Sequence, residues 1–123
     1  MCNTQYNAAD MKTEELTSIT DKLSQELRRG SLVLAALSQL REPKYGYALI
    51  DDLAGRGLQI EQGTLYPLLR RLEEQGLLRS EWNVDGSRPR RYYVLSPEGQ
   101  QVLEALTDDW LQLTQALVGL LPK

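Results

Sequence analysis

The sequence has 123 residues, 41% of them hydrophobic, which fits one domain of the common size of about 100 to 150 residues. No apolar run approaches the roughly 20 residues that a membrane-spanning helix needs, so no membrane partner is expected. The N-terminus is polar and lacks a secretory signal, which predicts a cytoplasmic protein with a disordered segment over residues 1–11. With one cysteine and no histidine, the chain offers no disulfide and no ordinary zinc-ligand set, and we expect neither metal nor cofactor.

The net charge of −3 is distributed unevenly. Residues 1–27 carry two lysines against five acids, and residues 96–123 carry one lysine against four acids. Residues 28–95 hold eleven basic side chains against eight acidic ones, and residues 86–91 hold three arginines and no acid. Because phosphate binding requires positive potential, the middle of the chain is the candidate nucleic-acid surface.

Helical periodicity begins after the polar N-terminus. Apolar residues at intervals of three and four, among them Leu16, Ile19 and Leu23, predict an amphipathic helix over residues 12–27. Residues 28–31 are expected to interrupt it, with Ser31 capping a second, core-forming helix. That helix is predicted to end before Pro43.

Two further helices are predicted between Tyr45 and Gly76. The first begins near Tyr45 and has Gly55 and Gly57 available for a left-handed exit. Its inward residues are expected to be Tyr47, Leu49, Ile50 and Leu53. The second starts at Glu61 or Thr64, with Pro67 in its first turn, where a missing N–H costs little. Its inward leucines are Leu65, Leu68, Leu69 and Leu72.

After Gly76 the pattern changes to alternation with a period of two. One strand with Leu78, Ser80, Trp82 and Val84 on one side, a turn at Asp85-Gly86 and a second strand over residues 91–95 predict a β-hairpin. Three arginines lie at its tip. Ser96-Pro97-Glu98 then supplies a cap, a proline for the first helical position and an acid for the dipole, which predicts a last helix to about Leu121.

Three short helices followed by a hairpin is the order of a winged helix-turn-helix, in which the last of the three enters the major groove of DNA. The expected fold is therefore mainly α with a β-hairpin wing, and residues 28–95 form the DNA-binding domain. This last helix is the expected recognition helix, and on its outward face we expect DNA contacts from Thr64, Tyr66, Pro67, Arg70 and Arg71. The wing arginines Arg88, Arg90 and Arg91 are expected at phosphate or in the minor groove.

Each of these signals also has a simpler interpretation. Arg70 and Arg71 would pair with Glu73 and Glu74 if the helix were merely solvated. An exposed basic turn alone is also common in proteins that bind nothing, and its position after a recognition-type helix is what strengthens the DNA interpretation.

The last helix carries apolar residues at alternating intervals of three and four, namely Leu103, Leu106, Trp110, Leu113, Leu117 and Leu120. Such a heptad seam requires a partner helix, supplied either by a two-fold homodimer or by the first helix of the same chain. Dimerisation is the favoured interpretation. Trp110 is expected to pack in this seam, or to stack on a flat aromatic ligand between subunits.

Four segments resemble the PadR-like transcriptional regulators. They are Lys-Tyr-Gly-Tyr-Ala-Leu at 44–49, Gly-Thr-Leu-Tyr-Pro-Leu-Leu-Arg-Arg-Leu-Glu at 63–73, Arg-Pro-Arg-Arg-Tyr-Tyr at 88–93 and Leu-Ser-Pro-Glu-Gly at 95–99. The resemblance covers about residues 28 to 110 and implies a winged-helix homodimer that represses genes at a pseudo-palindromic operator. It also implies that the Gly-Thr-Leu-Tyr-Pro helix enters the major groove, that the wing follows the backbone or minor groove, and that Tyr45 touches phosphate.

The resemblance further implies dimerisation through the C-terminal helix, residues 96–123, with help from the N-terminal helix. The implied interface residues are Leu16, Ile19, Leu23, Leu103, Leu106, Trp110, Leu113 and Leu117. The single short C-terminal helix is similar to the smaller subfamily, some members of which bind flat aromatic drugs at a central tryptophan; Trp110 has that position. Glu61 departs from the pattern, because many relatives have Ser or Thr as the helix cap there, and a carboxylate so close to phosphate would weaken or redirect that contact.

Catalysis is not expected, because the sequence has no histidine, no paired nucleophile and base, and no phosphate-cradling glycine loop. The alternative to a DNA-binding repressor is a winged-helix module that joins a protein partner without touching DNA. The acidic ends and Glu61 favour that alternative.

Overall fold

The computed structural model describes residues 12–122, so the disorder predicted for residues 1–11 lies outside the described residues. The chain divides between Leu32 and Val33 into two units. In chain order the elements are α1 Thr13–Gln39, β1 Lys44–Tyr45, α2 Gly46–Gly55, α3 Gln62–Glu74, β2 Leu78–Asn83, β3 Arg90–Leu95 and α4 Pro97–Leu120. The strands form one antiparallel sheet in the order β1-β3-β2. The predicted fold class, mainly helical with a hairpin, is confirmed.

The helix α1 is continuous, and the break predicted at residues 28–31 is wrong. A glycine such as Gly30 costs about 1 kcal/mol inside a helix, too little to end one that propagates cooperatively on both sides. Ser31 is not a cap, since its Oγ donates a hydrogen bond to the carbonyl of Arg28, 2.7 Å away, within the helix. The helix ends at Gln39, whose carbonyl accepts a 2.7 Å hydrogen bond from Lys44 Nζ.

Leucines form most of the core of residues 33–122. The largest fully buried side chains come from the end of α1 and the residue after it, from α2 and from α3: Leu37, Leu40, Leu49, Leu65, Leu69 and Leu72. All four leucines predicted to face inward from α3 are buried. Tyr47 was predicted inward and is 44% exposed, because it lies two residues, about 200° around the helix, from the buried Leu49.

Helices α2 and α3 end in the same way. In each, a glycine with positive φ follows the cap, Gly57 at 93° and Gly76 at 84°. The next residue's N–H returns to a carbonyl five residues back, from Leu58 to Leu53 and from Leu77 to Leu72. This is the Schellman arrangement, which requires a left-handed residue and so accounts for the glycines. Gly55, the other predicted exit, is the last residue of α2.

The helix α3 starts after its N-cap Glu61, one of the two predicted positions, but the predicted place of Pro67 in its first turn is wrong. Glu61 makes no side-chain capping hydrogen bond, and Pro67 is the sixth helical residue. The proline cannot donate to the carbonyl of Gly63, four residues earlier. Because Gly63 is exposed, water can take that donor's place.

The sheet contains a strand that the sequence did not predict. Lys44 and Tyr45 form β1, which pairs antiparallel with Tyr93 and Tyr92 of β3. Two residues are too few to show an alternating pattern. The strand places Tyr45 beside the hairpin, immediately before α2 begins.

A buried serine joins the start of α4 to the end of α3. Ser96, 3% exposed, accepts a hydrogen bond at Oγ from the N–H of Gly99, which confirms the predicted cap. The same Oγ donates to the carbonyl of Gly76, 2.6 Å away, and the Ser96 N–H donates to the carbonyl of Leu77. Gly99 lies so close to the Leu77 carbonyl that a Cβ at position 99 would overlap with it.

Gly99→Ala is therefore expected to lower the free energy of unfolding by about 1–3 kcal/mol, because the backbone must move to admit the methyl group. The matched control is Gly119→Ala in the same helix, where a Cβ meets nothing within 4 Å. Thermal unfolding followed by circular dichroism measures both. Equal melting temperatures for the two variants would show that the α3–α4 junction is not closely packed at Gly99.

Candidate nucleic-acid interface

The outward face of α3 is polar and cationic. Thr64, Pro67, Arg70 and Arg71 are exposed on the side opposite the buried leucines. Within residues 12–122, neither arginine forms an ion pair with Glu73, Glu74 or another acid. Both guanidinium groups are therefore available to an anionic ligand.

Tyr66 is half-buried, unlike its neighbours on α3. Its ring lies against Gly46, the first residue of α2, where a Cβ would overlap with the ring carbon Cε1. The small residue in Lys-Tyr-Gly-Tyr thus lets α2 approach the Tyr66 ring. The Tyr66 side chain is therefore partly buried against α2 and partly exposed.

Arg90 lies over two tyrosine rings at the base of the wing, the name used here for β2, β3 and their connecting residues 84–89. Its Cζ is 5.6 Å from the ring centroid of Tyr45 and 5.5 Å from that of Tyr47. The two rings stack at 5.8 Å, and Tyr47 Oη accepts a 3.0 Å hydrogen bond from Arg90 Nη1. Asn83 Nδ2 donates to Tyr45 Oη at 2.8 Å. These contacts hold a charged guanidinium in place without neutralising its charge.

Arg91, the next residue, points to the other face of the sheet and is paired. Its Nη2 lies 2.8 Å from Glu73 Oε1 of α3, and its Nε donates to Ser80 Oγ at 3.0 Å. Ser80 Oγ in turn donates to Glu73 Oε2 at 2.6 Å, which closes a ring of three polar groups. The Arg91 guanidinium also lies over the rings of Trp82 and Tyr93, at 5.7 Å and 5.5 Å.

The phenol of Tyr93 is neutral beside this arginine. Burial raises its pKa above the ordinary value of 10.0, and the positive charge of Arg91 opposes that rise without cancelling it. The ring therefore acts as an uncharged, aromatic surface at physiological pH.

A groove of about 820 Å³ lies between the wing, the start of α2 and the middle of α3. Eleven residues line it: Tyr45, Gly46, Tyr47, Tyr66, Arg70, Trp82, Ser87, Arg88, Arg90, Arg91 and Tyr93. Four of these residues are arginines and none is acidic; because only Arg91 of the four is paired with a carboxylate, the groove has an excess of positive charge. Six of the nine predicted contact residues are brought together here; Thr64, Pro67 and Arg71 lie on α3 outside the lining.

Five groove residues were not among the predicted contacts, namely Gly46, Tyr47, Trp82, Ser87 and Tyr93. Trp82 is 61% exposed in β2, directly opposite Arg91 in the strand register. The alternating pattern predicted that Trp82 shares one side of its strand with Leu78 and Ser80, but the sequence did not reveal that this side faces α3. Aromatic residues interleaved with arginines at 45, 47, 82 and 90–93 are the signal that could have identified the aromatic ones, Tyr47, Trp82 and Tyr93.

Two apolar faces, one on α4 and one on α1, contribute no residue to the lining of the groove. On α4, Leu103 is buried within its own chain and Leu106 is half-buried, whereas Trp110, Leu113 and Leu117 are 41%, 50% and 40% exposed. In the other unit, Leu16, Ile19 and Leu23 of α1 are 44%, 44% and 58% exposed. No helix within residues 12–122 has the length and apolarity needed to cross a membrane.

Comparisons with known proteins agree on one family. Residues 33–105 match the sequence model described as the transcriptional regulator PadR-like family. A transcriptional regulator of Mycobacterium tuberculosis is 39% identical over 85 residues, 68% of this chain and 77% of that protein.

Solved structures give the same result. The PadR family regulator of Eggerthella lenta is 51% identical and superposes with a TM-score of 0.81 over 85% of this chain and 94% of its own. A PadR-like regulator of Bacillus cereus, 26% identical, has a TM-score of 0.71 over 80% of this chain and 98% of its own. With this fold, these four motifs and these relatives, the chain belongs to the PadR-like family of transcriptional regulators.

Proposed function

We propose that this protein binds duplex DNA through α3 and the wing, and that it represses transcription as a homodimer at a pseudo-palindromic operator. The observation that carries the proposal is the groove between α3 and the wing, which has four arginines and no acid among its lining residues. A site with this charge favours a polyanion, and α3 has the position of a recognition helix in the winged helix-turn-helix order. A regulator of this kind works in the compartment that holds the DNA, so we place it in the cytoplasm.

The proposed contacts divide into two classes. Exposed Thr64, Pro67 and Arg70 on α3 are suited to base edges, since Arg pairs bidentately with guanine and the apolar groups meet thymine methyls. Arg71, Arg88 and Tyr45 are suited to phosphate, which fixes the register of the protein on the duplex. Arg90 is held over Tyr45 and Tyr47, and its charge is directed to phosphate or the minor groove. Tyr66 contributes the open part of its ring.

The proposed dimer follows from the exposed seam on α4. Trp110, Leu113 and Leu117 recur at heptad spacing and are each at least 40% exposed in the single chain. Burying such a row against a second copy would remove apolar area from water and place two α3 helices on neighbouring major grooves. The exposed row on α1, Leu16, Ile19 and Leu23, is proposed to add to this interface.

Selection of duplexes from a random pool by the purified protein tests the proposal directly. We expect enrichment of a site with two inverted halves, as a two-fold dimer requires. The acidic ends and Glu61 support the other function considered, a protein-interaction module. Failure to retain any duplex at about 50 mM salt, where phosphate contacts are strong, would favour that module.

Arg88→Ala is expected to weaken binding to the enriched duplex and to flatten the plot of log K against log salt by about 0.9, the value of one phosphate contact. Arg88 is exposed and, within residues 12–122, forms no ion pair, so its loss should leave the fold intact. Fluorescence anisotropy over a range of salt concentrations measures the slope.

The matched control is Arg79→Ala, which removes the same charge from an exposed position on β2 that does not line the groove. Its salt slope should equal that of the wild type. The wing would be wrongly assigned if Arg79→Ala and Arg88→Ala changed the slope equally.

The double variant Leu113→Glu/Leu117→Glu is expected to be monomeric, because two charges in a buried seam cannot be desolvated without partners. Light scattering after size exclusion should give twice 14.0 kDa for the wild type and 14.0 kDa for the variant. Gln115→Glu, on the opposite side of α4, is the control and should remain dimeric. A dimeric double variant would place the interface elsewhere.

The hypothesis that Trp110 stacks on a planar aromatic effector is tested in a Trp82→Phe background, which leaves Trp110 as the only tryptophan. Titration with acridine should quench its emission, because stacking between the subunits brings the two ring systems into contact. The reciprocal variant, Trp110→Phe, reports Trp82 and should not respond. Unchanged Trp110 emission up to saturating acridine would remove the hypothesis.

A further inference from the structure

The outer part of the wing has little apolar support. In the hairpin, only Leu78 of β2 and Tyr93 of β3 are buried hydrophobic residues, and both lie towards its base. Nearer the tip, Trp82 and Val84 are 61% and 70% exposed. Apolar packing therefore fixes where the hairpin begins, while the direction of its outer half depends on polar contacts.

Polar contacts reach the outer half from both neighbouring helices. On one face, Arg90 and Asn83 bond to the tyrosines that flank the start of α2. On the other face, Arg91 is the connection to α3, through the 2.8 Å ion pair with Glu73. Glu73 uses both carboxylate oxygens, one for Arg91 and one for Ser80, so both strands of the wing are bonded to a single side chain of α3.

We propose that Glu73 and Arg91 are positioning residues that set the angle between the wing and α3, and that Arg91 does not itself neutralise a phosphate. The proposal rests on the DNA-binding function proposed above. The Arg91 guanidinium already donates from Nη2 to Glu73 and from Nε to Ser80 and lies over the rings of Trp82 and Tyr93. Arg88 and Arg90, in contrast, have no acidic partner within the described residues. Of the three wing arginines, two carry charge to the DNA and the third holds them in place.

Glu73→Gln separates this role from simple electrostatics. Removing a negative charge beside bound DNA should tighten binding if charge alone matters. If Glu73 positions the wing, its loss should instead raise the Kd for the enriched duplex by about threefold to tenfold, the range of a lost charge-assisted hydrogen bond between partly exposed groups.

Glu74→Gln is the matched control, because it makes the same charge change at the next residue of α3, which is exposed and has no ion pair within residues 12–122. Its Kd should stay the same or fall. Glu73→Gln binding as tightly as Glu74→Gln would overturn the proposal.

Arg91→Gln and the double variant Glu73→Gln/Arg91→Gln complete a double-mutant cycle with Glu73→Gln. If the two residues act as one tether, each single variant and the double variant lose the same affinity, and the salt slope stays at the wild-type value. A slope flattened by about 0.9 in Arg91→Gln would identify a direct phosphate contact and refute the positioning role.

A measurement without DNA keeps this inference distinct from the proposed function. In a Trp110→Phe background the remaining tryptophan is Trp82, which lies under the Arg91 guanidinium. Glu73→Gln should shift the Trp82 emission and increase its mobility in time-resolved anisotropy, whereas Glu74→Gln should change neither. If the wild type binds no duplex, only the function fails; if Trp82 is unchanged in Glu73→Gln, the tether fails.

Discussion

Burial of one face of α3 is the constraint on which the rest of the site depends. Leu65, Leu68, Leu69 and Leu72 occupy positions i, i+3, i+4 and i+7, and all four are in the core. With that side fixed, Thr64, Pro67 and Arg70 have no direction other than outward. The contact of the Tyr66 ring with Gly46 then sets how closely α2 approaches, so the helix pair and its exposed face are determined together.

The wing depends on polar contacts as well as on apolar packing. Its base is held by Leu78 and Tyr93 in the core, but its outer half is held by ion pairs, hydrogen bonds and cation–π contacts. Such contacts are directional and partly solvated, so each contributes less than a buried leucine but defines orientation more narrowly. Two adjacent arginines illustrate the consequence: Arg90 keeps its charge over two tyrosines, while Arg91 pairs its charge with Glu73.

The start of α4 is packed within its own chain, whereas the later part of the helix is exposed. Its start is fixed inside the chain by the Ser96 cap and by the close approach of Gly99 to the Leu77 carbonyl. Its later seam residues, from Trp110 onward, are exposed in the single chain. Ser96 bonds directly to the turn that ends α3, so the start of α4 is joined to α3 by hydrogen bonds.

The sequence by itself determined the order of the elements from α2 to α4, the buried leucine face of α3, the Ser96 cap and the family. Each of these depends on residues close together in the chain, where periodicity, a capping hydroxyl or a fixed motif has a local physical cause. Predictions from local sequence were wrong where neighbouring residues determined the structure. The helix α1 continues through Gly30 because helix forms on both sides of it. Tyr47 is exposed because Leu49 and Leu53 of the same helix are the residues that face the core.

Only the tertiary structure decided the partners of the charged side chains. Nothing in the run Arg90-Arg91 distinguishes its two residues, yet a strand directs successive side chains to opposite faces, and those faces meet different elements. Arg91 meets an acid 18 positions away, and Arg90 meets a hydroxyl 43 positions away. Such pairings depend on strand register and on the angle between hairpin and helix, which packing of the whole unit determines and no local pattern encodes.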